Sequence, residues 1–305
     1  MTLPLVIICG PTATGKSDLA IEVAQSVGGE IINADSMQLY KGMDIGTAKL
    51  TFDEQKSIPH HLLDILDVTQ AASVADYQGL ARIKVEEIRA RGKFPILVGG
   101  TGLYIKAVLD EMDFPETDPA IRSRLEEEAE LLGSAHLFSR LRVLDPEAAQ
   151  AIDSANTRRI IRALEVIEIT GMPYSANLPS DVSIRFPDAI YLGLSVERSI
   201  LAERIKARVD RMWERGFVEE VRELIGQGLR EGVTAPRAIG YSQIIRALDG
   251  EISLDAAHEE TVVATRQYVR RQETWFKRDS RIQWIDEEVS RLDITVKLIE
   301  ERLNS

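Results

Sequence analysis

The chain has 305 residues, 44% of them hydrophobic and 28% charged, enough to bury a large core across about two domains. Its net charge of −12, taken as an average, argues against a nucleic-acid partner, because phosphate backbones demand cations. A single cysteine, Cys9, excludes a disulfide framework and a cysteine-based zinc site and suits a reducing compartment. With no apolar stretch near the ~20 residues of a membrane span and no basic signal-peptide start, the expectation is a cytoplasmic protein with no membrane partner.

The apolar run Leu5 to Cys9 predicts a first strand. It feeds directly into Gly10-Pro11-Thr12-Ala13-Thr14-Gly15-Lys16-Ser17, a G-x-x-x-x-G-K-[ST] loop, with the helical run Asp18 to Ala24 behind it. Gly10 and Gly15 let the backbone wrap so that successive N–H groups point at one centre. Lys16 adds a point charge, Ser17 offers a hydroxyl to Mg²⁺, and the following helix contributes its positive end. The loop is built for a chain of phosphates, and by itself it does not say which chemistry follows.

Further short strands are expected at Glu30–Ala34, Phe94–Val98, Ala189–Leu194 and Ile282–Ile285, alternating with helical stretches such as Asp76 to Arg91. That alternation predicts an α/β fold with a parallel sheet. Ligands of such sheets bind beyond the carboxyl ends of the strands. Asp35-Ser36-Met37-Gln38 follows the second strand and Gly99-Gly100-Thr101-Gly102 follows the Phe94–Val98 strand, so both should share the crevice of the phosphate loop. Asp35 there can hold Mg²⁺ through water or accept a proton, and it can equally cap its own turn. Between about Phe114 and Pro187 helical periodicity dominates, punctuated by Pro115, Pro119, Pro146, Pro173, Pro179 and Pro187, which predicts a helical insertion. The division expected is a first part of the core at 1–113, the insertion at 114–187, and the second part of the core with basic C-terminal helices at 188–305.

Three basic groupings interrupt the acidic average. Arg158, Arg159 and Arg162 form one. Arg204, Arg208 and Arg211 line one helical edge, where a guanidinium could clamp a diphosphate or pair with Glu203 or Asp210. Arg266, Arg270, Arg271, Lys277, Arg278 and Arg281, interleaved with Tyr268, Trp275 and Phe276, form the third.

Taken together, several blocks carry a family resemblance. These are residues 10–17, Ala-Asp-Ser-Met-Gln-Leu-Tyr (34–40), Gly-Met-Asp-Ile-Gly-Thr-Ala-Lys (42–49), His-His-Leu-Leu-Asp-Ile (60–65) and Gly-Gly-Thr-Gly-Leu-Tyr (99–104). To them add Arg-Arg-Ile-Ile-Arg-Ala-Leu-Glu-Val (158–166), Ala-Ile-Gly-Tyr (238–241) and Thr-Arg-Gln-Tyr-Val-Arg-Arg-Gln-Glu-Thr-Trp-Phe (265–276). The set closely resembles the bacterial tRNA dimethylallyltransferases from near residue 4 to about 285. Ser17 stands where many members carry Thr, an equivalent hydroxyl.

The resemblance implies a P-loop NTPase-like parallel sheet core with an inserted helical domain. It also implies transfer of a dimethylallyl group from dimethylallyl diphosphate to N6 of the adenosine just 3′ of the anticodon. The loop that holds ATP phosphates elsewhere would hold the donor's diphosphate, with Lys16, Arg208 and Mg²⁺ on Ser17 stabilising the leaving group. Thr12 or Thr101 could bond a donor oxygen, and Asp35 would take the proton from the amine. By the same resemblance Asp35 to Gln38, Thr101, Arg124, Arg158, Arg159, Ile160, Ile161, Arg162, Arg266, Arg270 and Arg271 would meet the tRNA anticodon stem-loop. No DNA partner is implied, and a monomer is expected. Three rivals share parts of this pattern: a P-loop small-molecule kinase, an isopentenyltransferase acting on free adenine nucleotides, and a non-catalytic tRNA-binding module.

Overall fold

The computed structural model describes residues 2–177 and 183–304. It contains two compact units, Met1–Leu109 with Arg185–Ser305, and Asp110–Ile184. The sheet-bearing unit is pinched together where the chain leaves and rejoins it, because Arg185 N donates to Leu109 O (2.8 Å). That closure sets the edges of the inserted unit at 110 and 184, where the sequence reading put them at 114 and 187. Pro179, one of the expected breakpoints, lies outside the described residues.

Strands β1 (Val6–Cys9), β2 (Gly29–Asn33), β3 (His60–His61), β4 (Phe94–Gly99), β5 (Ile190–Leu194) and β6 (Gln283–Ile285) make up, among the described residues, one six-stranded parallel sheet. Its order is β3-β2-β4-β1-β5-β6, so the phosphate loop leaves an interior strand. The first unit also holds helices α1 (Lys16–Val27), α2 (Val74–Ala90) and α3 (Gly102–Leu109). The second unit holds α4 (Pro119–Leu132), α5 (Ser134–Leu144), α6 (Pro146–Ala151) and α7 (Thr157–Thr170). After it come α8 (Arg198–Glu214), α9 (Phe217–Gly226), α10 (Tyr241–Leu248), α11 (Leu254–Phe276) and α12 (Arg291–Leu303), again in the first unit. Among the described residues no helix is long and apolar enough to cross a membrane.

The period of two along each strand sorts side chains into two cores. Ile7, Cys9, Ile32 and Leu97 pack with Ala81, Val85 and Ile88 of α2 and Ile105 and Val108 of α3. Val6, Ile8, Ile31, Ile96 and Val98 pack on the other face with Leu19, Ala20 and Val23 of α1 and Ile299 of α12. Both faces are covered, which is why the strands read as unbroken apolar runs. A smaller core under α9 and α10 gathers Tyr40, Met43, Phe217, Val221, Tyr241 and Ile244. It holds down the loop after β2.

In the second unit, Asp118 caps α4 with Pro119 at its first position, and Asn156 caps α7. Leu125, Leu137, Leu141, Ile160, Ile161 and Leu164 form its interior. Glu165 is buried there between Arg122 (2.6 Å) and Arg162 (2.8 Å). Burial alone would raise its carboxyl, but the two guanidiniums override it and hold it below the usual range.

Gly99 ends β4 against the turn after β2. A Cβ there would lie 2.2 Å from Ala34 O and 2.3 Å from Ala34 C, and backbone cannot step aside. Gly99→Ala should therefore cost about 3 kcal/mol, the upper end of overpacking. Urea unfolding checks it, and a midpoint equal to wild type would show that the two turns are not in register contact.

Candidate active site

The loop after β1 wraps because its residues permit unusual backbone. Gly10 has φ 139°, Ala13 φ 66° and Gly15 φ 85°. Ala13 is a side-chain-bearing residue in the left-handed region, a strain of the kind that functional loops hold. A Cβ on Gly10 would stand 2.8 Å from Leu194 O at the end of β5, so the loop closes onto the neighbouring strand. Inside the loop, Thr14 Oγ1 donates to Pro11 O (2.9 Å) and Lys16 Nζ donates to the same carbonyl (2.6 Å). Helix α1 starts at Gly15 with no side-chain cap, whereas Ser73 caps α2. The first amides of α1 are thus left for an anion.

The turn after β2 is tied on both sides. Asp35 N donates to Asn33 Oδ1 (2.9 Å), Asn33 Nδ2 returns to Asp35 O (3.0 Å), and Met37 N donates to Asp35 Oδ1 (2.9 Å). Asp35 therefore caps its own turn and also faces the cavity; the two readings of this residue are compatible. Thr101 joins the loops: its N donates to Ala34 O (3.3 Å) and its hydroxyl accepts from Ser36 N (3.2 Å). Burial, and then Asp35 nearby, push the Tyr268 phenol of α11 up to about 12.

The loops after β1, β2 and β4 each contribute residues to one cavity of about 790 Å³, although Thr101, Ser36 and Met37 are not among its lining. Thr12 to Ser17, Asp35, Gln38, Gly99 and Gly100 form one side, and Arg204, Arg208 and Arg211 of α8 the other. Arg208 Nη2 donates to Thr47 O (3.3 Å), as does Gln38 Nε2 (3.2 Å). Burial, and then Arg208 beside it, push the Lys16 ammonium down to about 8, while Asp35 pulls the other way. Burial also lowers Arg208, again opposed by Asp35. Two cations and one carboxylate thus share a desolvated cleft, where an anionic ligand gains most.

The other expected residues fall into three groups. Arg158, Arg159, Arg266 and Arg270 are exposed, and Arg271 lies over the Tyr268 ring at 5.6 Å. Arg124 is ion-paired with Glu168. Ile160 and Ile161 have their side chains buried in the core of the second unit. Arg162 donates to Pro115 O (2.6 Å), Glu116 O (3.2 Å) and Glu165, and so braces the segment before α4. Arg204 pairs with Glu287, and Asp210 pairs with Lys206 and His258, not with the arginines of its own helix.

Sequence reasoning gave no role to two residues that brace the phosphate loop. Gln272 of α11 accepts from Thr12 N (3.0 Å) and donates to Gly100 O (2.9 Å), joining the loops after β1 and β4. Arg291, the first residue of α12, donates to Thr14 O (2.9 Å) and Ser195 O (2.6 Å). Gln272 falls inside the distinctive 265–276 block, and that membership was the only available signal. Arg291 carried none.

The chain matches the sequence model of the family described as IPP transferase over residues 38–279. It belongs to the IPP transferase family. A tRNA dimethylallyltransferase of Streptomyces coelicolor is 59% identical over 281 residues, covering 92% of this chain and 89% of that protein. A relative of the same description from Thermobifida fusca is 57% identical with the same coverage. Among solved structures, the full-length tRNA isopentenylpyrophosphate transferase of Bacillus halodurans matches with a TM-score of 0.71 and 39% identity, covering 99% of this chain and 98% of that one. A eukaryotic dimethylallyltransferase acting on tRNA matches with a TM-score of 0.81 and 27% identity, covering 99% of this chain and 78% of that one. The phosphate loop precedes the span matched by the family model, and the relatives' fold includes it through their near-complete coverage.

The lowered Lys16 is directly measurable. In NMR of reductively methylated protein, the signal absent from Lys16→Arg should titrate with a midpoint near pH 8. The group is then cationic below that pH and loses its charge above it, so anion affinity should fall as pH rises past 8. A midpoint above 10 would mean that the cleft does not desolvate this ammonium.

Proposed function

We propose that this chain is a tRNA dimethylallyltransferase, moving a dimethylallyl group from dimethylallyl diphosphate to N6 of the adenosine 3′-adjacent to the anticodon and releasing diphosphate. The observation that carries the reading is the single cavity in which Lys16, Arg208 and the phosphate loop face Asp35. A leaving diphosphate and a proton acceptor are the two things this alkyl transfer requires. Membership of the IPP transferase family supplies the substrate class.

The chemistry balances within that cavity. The bond from the allylic carbon to the diphosphate oxygen breaks, and a bond from that carbon to the adenine nitrogen forms. The nitrogen's proton passes to the Asp35 carboxylate. Loop amides, Lys16 and Arg208 stabilise the negative charge as it gathers on the leaving group. The adenine amine is a weak nucleophile because its lone pair is delocalised into the ring, so a positioned acceptor has leverage. An anticodon-loop base is largely unpaired and leaves its stack for only a few kcal/mol. Ser36, Met37 and Gln38, beside Asp35, are placed in sequence to meet the flipped base. Exposed Arg158, Arg159, Arg266, Arg270 and Arg271 supply cations for the stem-loop phosphates. The chain acts as a monomer in this reading.

Magnesium fits the residues present. Ser17 offers an exposed hydroxyl at the start of α1, and among the described residues no cluster of three acidic, His or Cys side chains could cage a metal. One hydroxyl plus diphosphate oxygens and water suits this hard, reluctantly dehydrated ion. When bound, it would draw charge from the departing diphosphate.

Labelled dimethylallyl diphosphate, incubated with tRNA, with AMP or with no acceptor, tests the reading. Label should appear on tRNA alone; transfer of the ATP γ-phosphate to an alcohol, with no use of the prenyl donor, would make the protein a kinase. Within the reaction, Asp35→Asn keeps an acceptor for Met37 N and removes the base. Turnover should fall by about 10²–10⁴-fold with tRNA affinity nearly unchanged. Lost binding with undiminished turnover at saturation would remove Asp35 from the chemistry.

A further inference from the structure

Outside the residues that line the cavity, the carboxylate of Glu220 on α9 sits in a nest of main-chain amides. Asp44 N (3.1 Å) and Ile45 N (2.6 Å) donate to its Oε2, and Gly46 N (3.2 Å) donates to its Oε1. The Tyr241 hydroxyl donates to the same Oε1 (2.6 Å). Three consecutive amides on one carboxylate are the arrangement at the start of a helical turn holding an anion. Residues 44–49 do form such a turn, because Ala48 N donates to Ile45 O (3.0 Å) and Lys49 N to Asp44 O (2.9 Å).

The far end of this turn faces the cavity. Its carbonyl Thr47 O accepts from Arg208 Nη2 (3.3 Å) and from Gln38 Nε2 (3.2 Å). Arg208 and Gln38 therefore both hang from one carbonyl whose turn is fixed, at its amino end, by Glu220. Phe217 and Tyr241 close the space around Gly46, where a Cβ would lie 2.2 Å from the Phe217 ring, so the turn packs tightly against α9 and α10.

We propose that Glu220 is a positioning residue for diphosphate binding: by capping the 44–49 turn it sets Thr47 O, which aims the Arg208 guanidinium at the ligand. This rests on the reading of Arg208 as a diphosphate ligand given above. The negative charge of Glu220 at the amino end and the positive charge of Arg208 at the carboxyl end also oppose the turn's dipole at both ends, so the two act on the same small element.

A double-mutant cycle reads the coupling. Glu220→Gln is made in the wild-type and in the Arg208→Ala backgrounds, and the affinity of inorganic diphosphate is measured by calorimetry beside the rate of prenyl transfer. Glu220→Gln should weaken diphosphate binding by about tenfold in the wild-type background and change it less than twofold once Arg208 is gone. Tyr241→Phe, which removes one donor to the same carboxylate and spares the amides, should show a smaller loss with the same dependence on Arg208. Equal losses in both backgrounds, for either variant, would make Glu220 a purely structural residue and overturn the proposal. The binding readout stands apart from the reaction: coupling in diphosphate affinity without any prenyl transfer by wild type would sink the proposed activity and leave the role of Glu220 intact.

Discussion

Everything at this site depends on holding two cations, Lys16 and Arg208, beside each other in a half-buried cleft. Each is pushed toward its neutral form by burial, and Asp35 is the carboxylate that opposes the push on both. Such an arrangement needs a rigid scaffold, and a bound polyanion would relieve it. The sheet supplies the rigidity. Its parallel strands end together, so the loop after β1, the turn after β2 and the loop after β4 converge without any long connection having to be ordered.

Convergence alone would leave three loops free to drift apart, and the structure binds each to another. Thr101 joins the β4 loop to the β2 turn, Gln272 joins the β4 loop to the phosphate loop, and Arg291 ties the phosphate loop to the end of β5. Gln272 has a further consequence. It lies on α11, the same helix that carries Arg266, Arg270 and Arg271 on its exposed positions. The element that carries these exposed cations therefore also holds a phosphate-loop amide.

The sequence showed β1, β4 and β5 because each is a mostly apolar run buried on both faces, and β2 and β6 through shorter apolar signals such as Ile31-Ile32 and Trp284-Ile285. It did not show β3, which is only His60 and His61, has no apolar signal and exists because β2 pairs with it at the sheet edge. Asp35, Lys16 and Thr101 were legible because they sit within a few residues of a strand end, where topology dictates their place. The structural contacts of Arg162 and of the Ile160–Ile161 pair were not legible in the same way. A motif names a block of chain, but only packing says which side chains in it serve the core. Ile160 and Ile161 fill the interior of the second unit, and Arg162 secures main-chain carbonyls. Gln272 and Arg291 lie about as far from their partners in sequence as this chain allows, so no local pattern could have announced them.

The acidic average and the cationic sites belong to one design. Carboxylates neutralise several arginines that the fold holds fixed: Glu165 takes Arg122 and Arg162, Glu168 takes Arg124 and Arg140, Glu287 takes Arg204. Arg158, Arg159, Arg266 and Arg270 lie on exposed helix positions with no such carboxylate bound to them among the described residues. An RNA approaching a surface of net negative charge is repelled except where such cations stand out, so the acidic background sharpens the choice of where it lands. Net charge is thus a poor guide to a nucleic-acid partner when the opposite charges are sorted by pairing, and here the sorting follows what each arginine is asked to hold.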